Sequence, residues 1–155
     1  NCLKNNYGDT FGVDWQWDGS LQQDPTERVL VKLIQNMGEE FDYLRVYDTA
    51  VLLPATAAAQ LPPPENLVIY LGYPDVDSDR KLSAIRHSAR SDPHCWSHGL
   101  SDREMLEYVD HFKDYSAQLR TECQRYGIPF VDTSHDWSAA VSRAFELVMD
   151  ALVSE

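Results

Sequence analysis

One stretch of this chain, Asn66–Arg90, constrains the fold more than any other. It begins with an apolar run, Leu67–Leu71, which Gly72 and Pro74 then interrupt. An apolar run of this length between two breakers is typical of a strand that is buried on both faces, as the strands of parallel sheets are. The sequence therefore predicts that this run is a central strand of a parallel sheet.

A basic helix is predicted directly after this strand. Its basic side chains have no acidic residue among them, and they are Arg80, Lys81, Arg86 and Arg90. Ligands of parallel sheets bind beyond the carboxyl ends of the strands, and guanidinium groups four residues apart share one face of a helix and suit phosphate oxygens. We therefore expect an anion-binding segment here. The alternative is a solvated face whose arginines pair with nearby aspartates.

Composition and charge exclude several classes of protein. The 155 residues are 43% hydrophobic and 25% charged, which indicates a globular domain rather than a disordered chain. A formal net charge of −12 argues against a protein that coats nucleic acid. No apolar run approaches the roughly 20 residues of a membrane span. An odd number of cysteines without a framework spacing predicts a reducing, cytoplasmic setting.

The remaining patterns predict an α/β fold. We expect a single domain over residues 1–155, built as a three-layer sandwich with a mostly parallel sheet. Residues 1–23 are predicted to be irregular and residues 91–100 to form a lid-like loop. The predicted elements are a helix from Pro25 to a stop at Gly38, a strand over Phe41–Tyr47, a short helix within 50–60, a long helix from Ser101 to Gly127, a strand over Ile128–Val131 and a final amphipathic helix.

Polar residues follow three of the predicted strands. They are Asp48-Thr49, Gly72–Asp75 and Asp132-Thr133-Ser134. Because the carboxyl ends of parallel strands meet at one edge of a sheet, we expect these groups to form a ligand site there. The alternative is that each group only caps the helix that follows it.

The loop at 91–100 contains several metal-ligating residue types within a short span. They are Asp92, His94, Cys95 and His98. A zinc site needs four ligands, and no second pair stands at a suitable spacing, so no metal centre is predicted. Trp96 is expected to pack this loop against the core or against a base.

A set of short motifs makes the pattern familiar. They are Leu71-Gly72-Tyr73-Pro74, Ile85-Arg86, Trp96, Gly127-Ile128-Pro129 and Asp132-Thr133-Ser134. In this order, over about residues 66–150, they resemble the second half of small P-loop kinases, the adenylate-kinase-like nucleoside and nucleotide kinases. The resemblance implies a P-loop-kinase-like fold, the cofactors ATP and Mg²⁺, and a small-molecule phosphate acceptor.

The resemblance also implies roles for individual residues. The lid arginines, Arg80, Arg86 and Arg90, would bind the nucleotide phosphates. A later segment, made of Asp132, Thr133, Ser134 and His135, would border the adenine ring. The residues implied in catalysis are Asp48, Arg86 and Arg90, with Asp48 as the acid of the Mg²⁺-water or acceptor site. In such chemistry the protein mainly positions phosphates and neutralises developing charge.

The sequence departs from this family at one point. A P-loop requires G-x-x-x-x-G-K-S/T, and this chain has no Gly-Lys pair. Two expectations remain open. The protein transfers a phosphoryl group from ATP if such a loop lies upstream of Asn1, or it is a degenerate kinase-like domain that binds partners.

Two alternatives come from other classes. The blocks Gly8-Asp9-Thr10, Gly72–Asp75 and Asp132–His135 loosely resemble those of SGNH esterases, which would make Thr10 the nucleophile and His135 its base. A non-catalytic scaffold would instead bind a protein partner through aromatic residues near the start of the chain, namely Tyr7, Trp15 and Trp17.

Overall fold

The computed structural model describes residues 25–40, 46–49 and 51–153 of the chain. Helices dominate this part. In chain order the elements are α1 (Pro25–Glu40), α2 (Pro54–Gln60), β1 (Tyr70–Gly72), α3 (Ser78–Ala89), a 3₁₀-helix (Trp96–Gly99), α4 (Asp102–Tyr126), β2 (Phe130–Asp132) and α5 (Trp137–Val153).

The described residues fall into two compact units. The first contains residues 77–112, which are α3, the 3₁₀-helix and the first part of α4. The second contains residues 25–40, 46–49, 51–76 and 113–153, and therefore both strands, the rest of α4 and α5. None of the helices in these ranges combines the length and apolar character needed to cross a membrane.

The two strands form a parallel pair in the second unit. Tyr70 lies opposite Phe130, Leu71 opposite Val131, and Gly72 opposite Asp132. Parallel neighbours need a crossover connection, and here α3, the 3₁₀-helix and α4 provide it along the chain. Because the strands run in the same direction, the turns that follow Gly72 and Asp132 leave the sheet at the same end.

The predicted three-layer sandwich is wrong. Within the described ranges the sheet has two strands of three residues each. The strand predicted over Phe41–Tyr47 is described only from residue 46, and residues 46–49 have no regular structure. An apolar run shows that a segment can form a strand, but the number of strands depends on partners elsewhere in the chain.

The predicted burial of the central strand on both faces is also wrong. Leu71, in the middle of β1, is 53% exposed, and Leu67 just before it is exposed as well. Val131, which lies opposite Leu71, is buried. Among the described residues, no element fully covers the Leu71 side chain, so β1 is not enclosed on both faces.

The helix predictions are mostly confirmed, with corrections at individual residues. α1 contains Pro25 at its first position as predicted but continues past Gly38 to Glu40. A glycine inside a helix costs only about 0.5–1 kcal/mol relative to alanine, so it does not end a helix by itself. The predicted capping box is present, since the Ser101 N–H donates to Oε2 of Glu104 (2.8 Å) and the Glu104 N–H donates to Oγ of Ser101 (3.3 Å).

An apolar cluster forms the core of the second unit. Its buried members are Val31, Leu52, Ala57 and Leu61, and the partly buried side chains packed on them are Leu30, Ile34, Val68 and Ile128. α1 and α2 are also joined by a polar contact at this core. The fully buried Glu27 accepts a hydrogen bond from the Leu53 N–H (2.7 Å), just before α2 begins.

The apolar face predicted for the last helix is only partly buried. Ala140 is buried, and α5 contacts β2. Val141, Phe145 and Leu152, which belong to the same predicted face, are exposed. Helical periodicity identified the face, but it does not show which neighbour covers it.

Candidate functional site

The turns that follow β1 and β2 lie side by side in the second unit. We call the residues Gly72–Asp75 and Asp132–His135 the rim. The carbonyl oxygen of Gly72 accepts two hydrogen bonds from Thr133, one from its N–H (2.7 Å) and one from its Oγ1 (3.0 Å). The hydrogen bonding between the strands therefore continues into the turns. It holds the beginning of the turn after β1 against the beginning of the turn after β2.

Ser134 joins the two turns a second time. Its Oγ accepts from the Asp75 N–H (3.0 Å), and its own N–H donates to Oδ1 of Asp132 (2.8 Å). Ser134 is buried, so these bonds are partly shielded from water. The backbone of the rim is thus fixed from both strands, while the carboxylates of Asp75 and Asp132 are left at the surface.

Arg120 brings a positive charge from α4 to the rim. Its Nη1 lies 2.5 Å from Oδ2 of Asp75 and 3.7 Å from Oδ2 of Asp132. Ser116, one turn earlier on α4, lies against Gly72, and residues four apart share a helix face. The close approach of α4 to Gly72 is therefore what places Arg120 over the two carboxylates.

The charges at the rim influence one another. The hydrogen bond from Arg120 lowers the pKa of Asp75, desolvation of the carboxylate opposes this shift, and the charge of Arg120, with smaller effects of His135 and Lys113, lowers the pKa further. The bond to Asp75 in turn raises the pKa of Arg120. Three basic groups therefore act on one carboxylate, in a chain whose formal charge is −12.

Tyr73 lies within the rim and is half-buried. Burial raises the pKa of its phenol to about 12, so the hydroxyl keeps its proton at neutral pH. A protonated phenol cannot act as a base.

Two of the three predicted strand ends meet at this rim. The third, Asp48-Thr49, lies in the irregular segment 46–49, where Asp48 is exposed and Oγ1 of Thr49 accepts from the Val51 N–H (3.2 Å). The catalytic role predicted for Asp48 stays a prediction, because no contact shown for it leads to the rim.

The lid arginines lie in the first unit, whereas the rim belongs to the second. Arg80 and Arg90 are exposed at the two ends of α3, where their backbone N–H groups bond Oδ1 of Asp77 and the carbonyl of His87. The roles predicted for Arg80, Arg86 and Arg90 in holding phosphates stay predictions.

Arg86 already has a set of partners. Its Nε donates to Oδ1 of Asp102 (2.9 Å), and its Nη1 and Nη2 donate to the carbonyl oxygens of Ser97 and Leu100 (both 2.6 Å). All three nitrogens of the guanidinium group are therefore used inside the first unit. A phosphate that bound here would have to displace Asp102 or two backbone carbonyls.

Replacing Arg86 with alanine is therefore expected to destabilise the protein. Hydrogen bonds to charged groups contribute roughly 1.5–3 kcal/mol each, and we expect a loss of about 2 kcal/mol in the free energy of unfolding. Urea denaturation followed by circular dichroism measures this loss. Arg90→Ala, at the exposed residue that directly follows the same helix, is the control and should cost less than about 0.5 kcal/mol. Equal stability of the two variants would contradict a structural role for Arg86.

The metal-ligating residue types of the 91–100 loop make hydrogen bonds within the loop. Oδ1 of Asp92 accepts from the His94 N–H, the Asp92 carbonyl lies 2.9 Å from Nε2 of His98, and Sγ of Cys95 lies 3.2 Å from Oγ of Ser97. No group of three His, Cys, Asp or Glu side chains in the described ranges is arranged to hold a metal ion.

Trp96 packs the 3₁₀-helix against α4. Its ring centroid lies 5.8 Å from that of Tyr108, which stacks on Phe112 at 6.0 Å. The ring remains partly exposed. The ring that Trp96 contacts is itself exposed, so the predicted packing of this loop against the core or a base stays a prediction.

The two alternative classes gain little from the geometry. Thr10 and the aromatic residues Tyr7, Trp15 and Trp17 lie outside the described residues. An esterase triad would need the carboxylate of Asp132 to orient His135, but the bonds shown for that carboxylate go to Ser134 and Arg120.

The sequence reasoning missed the basic residues of α4. Lys113 and Arg120 are seven residues apart, two helical turns, with Ser116 between them on the same face. The helical pattern that predicts α4 rests on mostly apolar positions, with Ser116 among them, and it includes neither Lys113 nor Arg120. This polar spacing is the signal in the sequence that could have indicated a second face of α4, the face that contacts the rim.

Comparisons with known proteins give no family for this chain. A scan against protein-family models, a search of curated proteins and a search of solved structures each found no match.

Proposed function

We propose that this protein binds a nucleotide at the rim, with Arg120 as the group that receives its phosphates. One observation carries the proposal: the polar turns after two adjacent parallel strands are bonded to each other beneath an arginine. In parallel sheets this is where ligands bind, beyond the carboxyl ends of the strands.

The local charge favours an anionic ligand. Arg120 and Lys113 both act on the carboxylate of Asp75, so two basic side chains lie near the rim of an otherwise acidic chain. The acidic chain as a whole repels anions. Because exposed charges farther away than about 8 Å are screened at physiological salt, the basic side chains near the rim affect a bound phosphate more than the distant acidic residues do. A guanidinium fork also matches the geometry of phosphate oxygens.

Mg²⁺ fits this site as an ion that arrives with the nucleotide. The carboxylates of Asp75 and Asp132 are the hard oxygen ligands that Mg²⁺ prefers, but both are oriented toward Arg120. When bound with ATP, the ion would neutralise phosphate charge. Phosphoryl transfer to a small acceptor would additionally need a phosphate cradle, and the sequence lacks a Gly-Lys pair, so the proposal is limited to binding.

A cytoplasmic location belongs to the same proposal. Its support is that Cys95 and Cys123, the two cysteines in the described ranges, are both free thiols. Free thiols without a disulfide partner are typical of proteins in reducing compartments.

Calorimetric titration with ATP and ADP, with and without Mg²⁺, tests the proposal. Arg120→Gln should weaken nucleotide binding at least tenfold, because a charge-assisted bond to phosphate is lost. Arg125→Gln is the matched control, since Arg125 is exposed on the same helix and pairs with Glu122, and its affinity should equal that of the wild type.

Two results would overturn the proposal. One is the absence of any nucleotide binding at millimolar ligand. The other is equal affinity in Arg120→Gln and the wild type, which would place binding elsewhere.

A further inference from the structure

The structure assigns Asp75 a second role: we propose that its carboxylate occupies the phosphate position on Arg120 while no ligand is bound. The ligand's phosphate then takes its place. This inference rests on the proposed function, because it concerns the same site, and it names the group of the ligand that Arg120 selects.

The first observation is the asymmetry between the two carboxylates at Arg120. Oδ2 of Asp75 lies 2.5 Å from Nη1, whereas Oδ2 of Asp132 lies 3.7 Å from the same atom. Asp132 is also held by its other oxygen, which accepts from the Ser134 N–H. Asp75 is therefore the direct partner of Arg120, and Asp132 belongs to the framework of the turn.

The second observation is that the Asp75 side chain can leave without disturbing the rim. Its backbone N–H is fixed by Oγ of Ser134, while its carboxylate contacts Arg120 and is 53% exposed. Rotation about the side-chain bonds would release Arg120 and keep the turn intact. Exposed ion pairs contribute little to stability, so a stronger anion displaces such a partner easily.

The third observation concerns the donors of Arg120. Among the described residues, its contacts all run through Nη1. The other edge of the guanidinium group still has N–H donors to offer. A phosphate group can accept two parallel hydrogen bonds from these donors. The carboxylate of Asp75, which contacts Nη1, does not use them.

This arrangement defines the class of ligand. An anion must compete with a carboxylate that is tethered to the site and carries one negative charge. A doubly charged phosphate group competes better than a singly charged carboxylate or sulfonate of similar size. Displacing Asp75 lowers the affinity of every anion by the same factor, so weakly bound, singly charged anions no longer bind detectably while a doubly charged phosphate still does.

The test compares ATP and inorganic pyrophosphate binding in four proteins by calorimetry at neutral pH. They are the wild type, Asp75→Asn, Arg120→Gln and the double variant. Asparagine keeps the shape of the side chain but removes its charge. We expect Asp75→Asn to bind both ligands about fivefold more tightly, the size of an exposed ion pair converted to affinity. In the Arg120→Gln background the same substitution should have no effect, because the competition is for Arg120.

A control separates this competition from a general loss of negative charge. Asp114 is exposed on α4 next to Lys113, and Asp114→Asn removes one charge without touching Arg120. We expect its affinity to change less than twofold. Equal gains in Asp75→Asn and Asp114→Asn would overturn the inference.

The remaining outcomes distinguish the inference from the function on which it rests. If Asp75→Asn binds no more tightly than the wild type while Arg120→Gln loses binding, the role of Asp75 is overturned and the proposed function stands. If none of the four proteins binds either ligand, both are overturned.

Discussion

Gly72→Ala is expected to lower the free energy of unfolding by about 2 kcal/mol. A Cβ atom at this position would lie 2.8 Å from Cζ of Phe130 and 2.9 Å from Cβ and Oγ of Ser116. These distances are shorter than van der Waals contact, and Cβ of Ser116 is fixed to the backbone of α4. The glycine is needed here for close approach, because α4 and β2 both press on this point of β1.

The same substitution is expected to weaken ligand binding. The Gly72 carbonyl accepts both hydrogen bonds of Thr133, and Ser116 lies one turn before Arg120. Displacing β1 from α4 would therefore move the rim away from its arginine. Urea denaturation and nucleotide titration measure the two effects on the same protein.

Gly99→Ala is the matched control for this prediction. A Cβ atom at Gly99 would have no heavy atom within 4 Å, so we expect a change of less than about 0.5 kcal/mol. A similar loss of stability in the two alanine variants would show that packing against α4 is not the reason for glycine at position 72.

Met105→Ala is expected to destabilise the protein by about 3 kcal/mol. Met105 is the largest completely buried side chain in the described ranges, with 0% exposure, and it lies in the first turn of α4. Removing most of this side chain leaves a cavity, and the loss includes both the transfer free energy and the lost contacts around the cavity. Guanidinium denaturation followed by tryptophan fluorescence measures the change.

Met149→Ala provides a control with the same chemical change. Met149 is 42% exposed on α5, where alanine is also the better helix former. We expect its stability to change by less than about 1 kcal/mol. If Met149→Ala were as destabilising as Met105→Ala, the burial of Met105 would not explain its effect.

Features that depend on neighbours in sequence could be predicted from the chain. The capping box at Ser101 and Glu104 needs only two residues three apart, and the structure contains it. The buried positions Met105 and Val109 of α4 follow from helical spacing. The turn at Asp132 was predicted as a polar strand end, and it lies at the rim.

Features that depend on distant partners could not be predicted in the same way. Phe145 has the same helical spacing as a buried residue, yet it is exposed, because burial needs a covering element that the helix does not encode. Arg86 fits an anion-binding pattern, yet its guanidinium bonds Ser97 and Leu100. Arg120 reaches the rim only because glycine at position 72 lets α4 approach the strand.

The bond between Asp75 and Ser134 joins residues that are 59 positions apart in the chain. Residues 77–112 lie between the two turns in sequence. The rim therefore forms only when folding brings the two ends of this long segment close together. A ligand that bound both turns would therefore recognise only the folded chain and would oppose its opening. At a concentration of 100 times Kd, such a ligand adds about 2.7 kcal/mol to the free energy of unfolding. Binding at the rim therefore reports the fraction of molecules in which the two turns have come together.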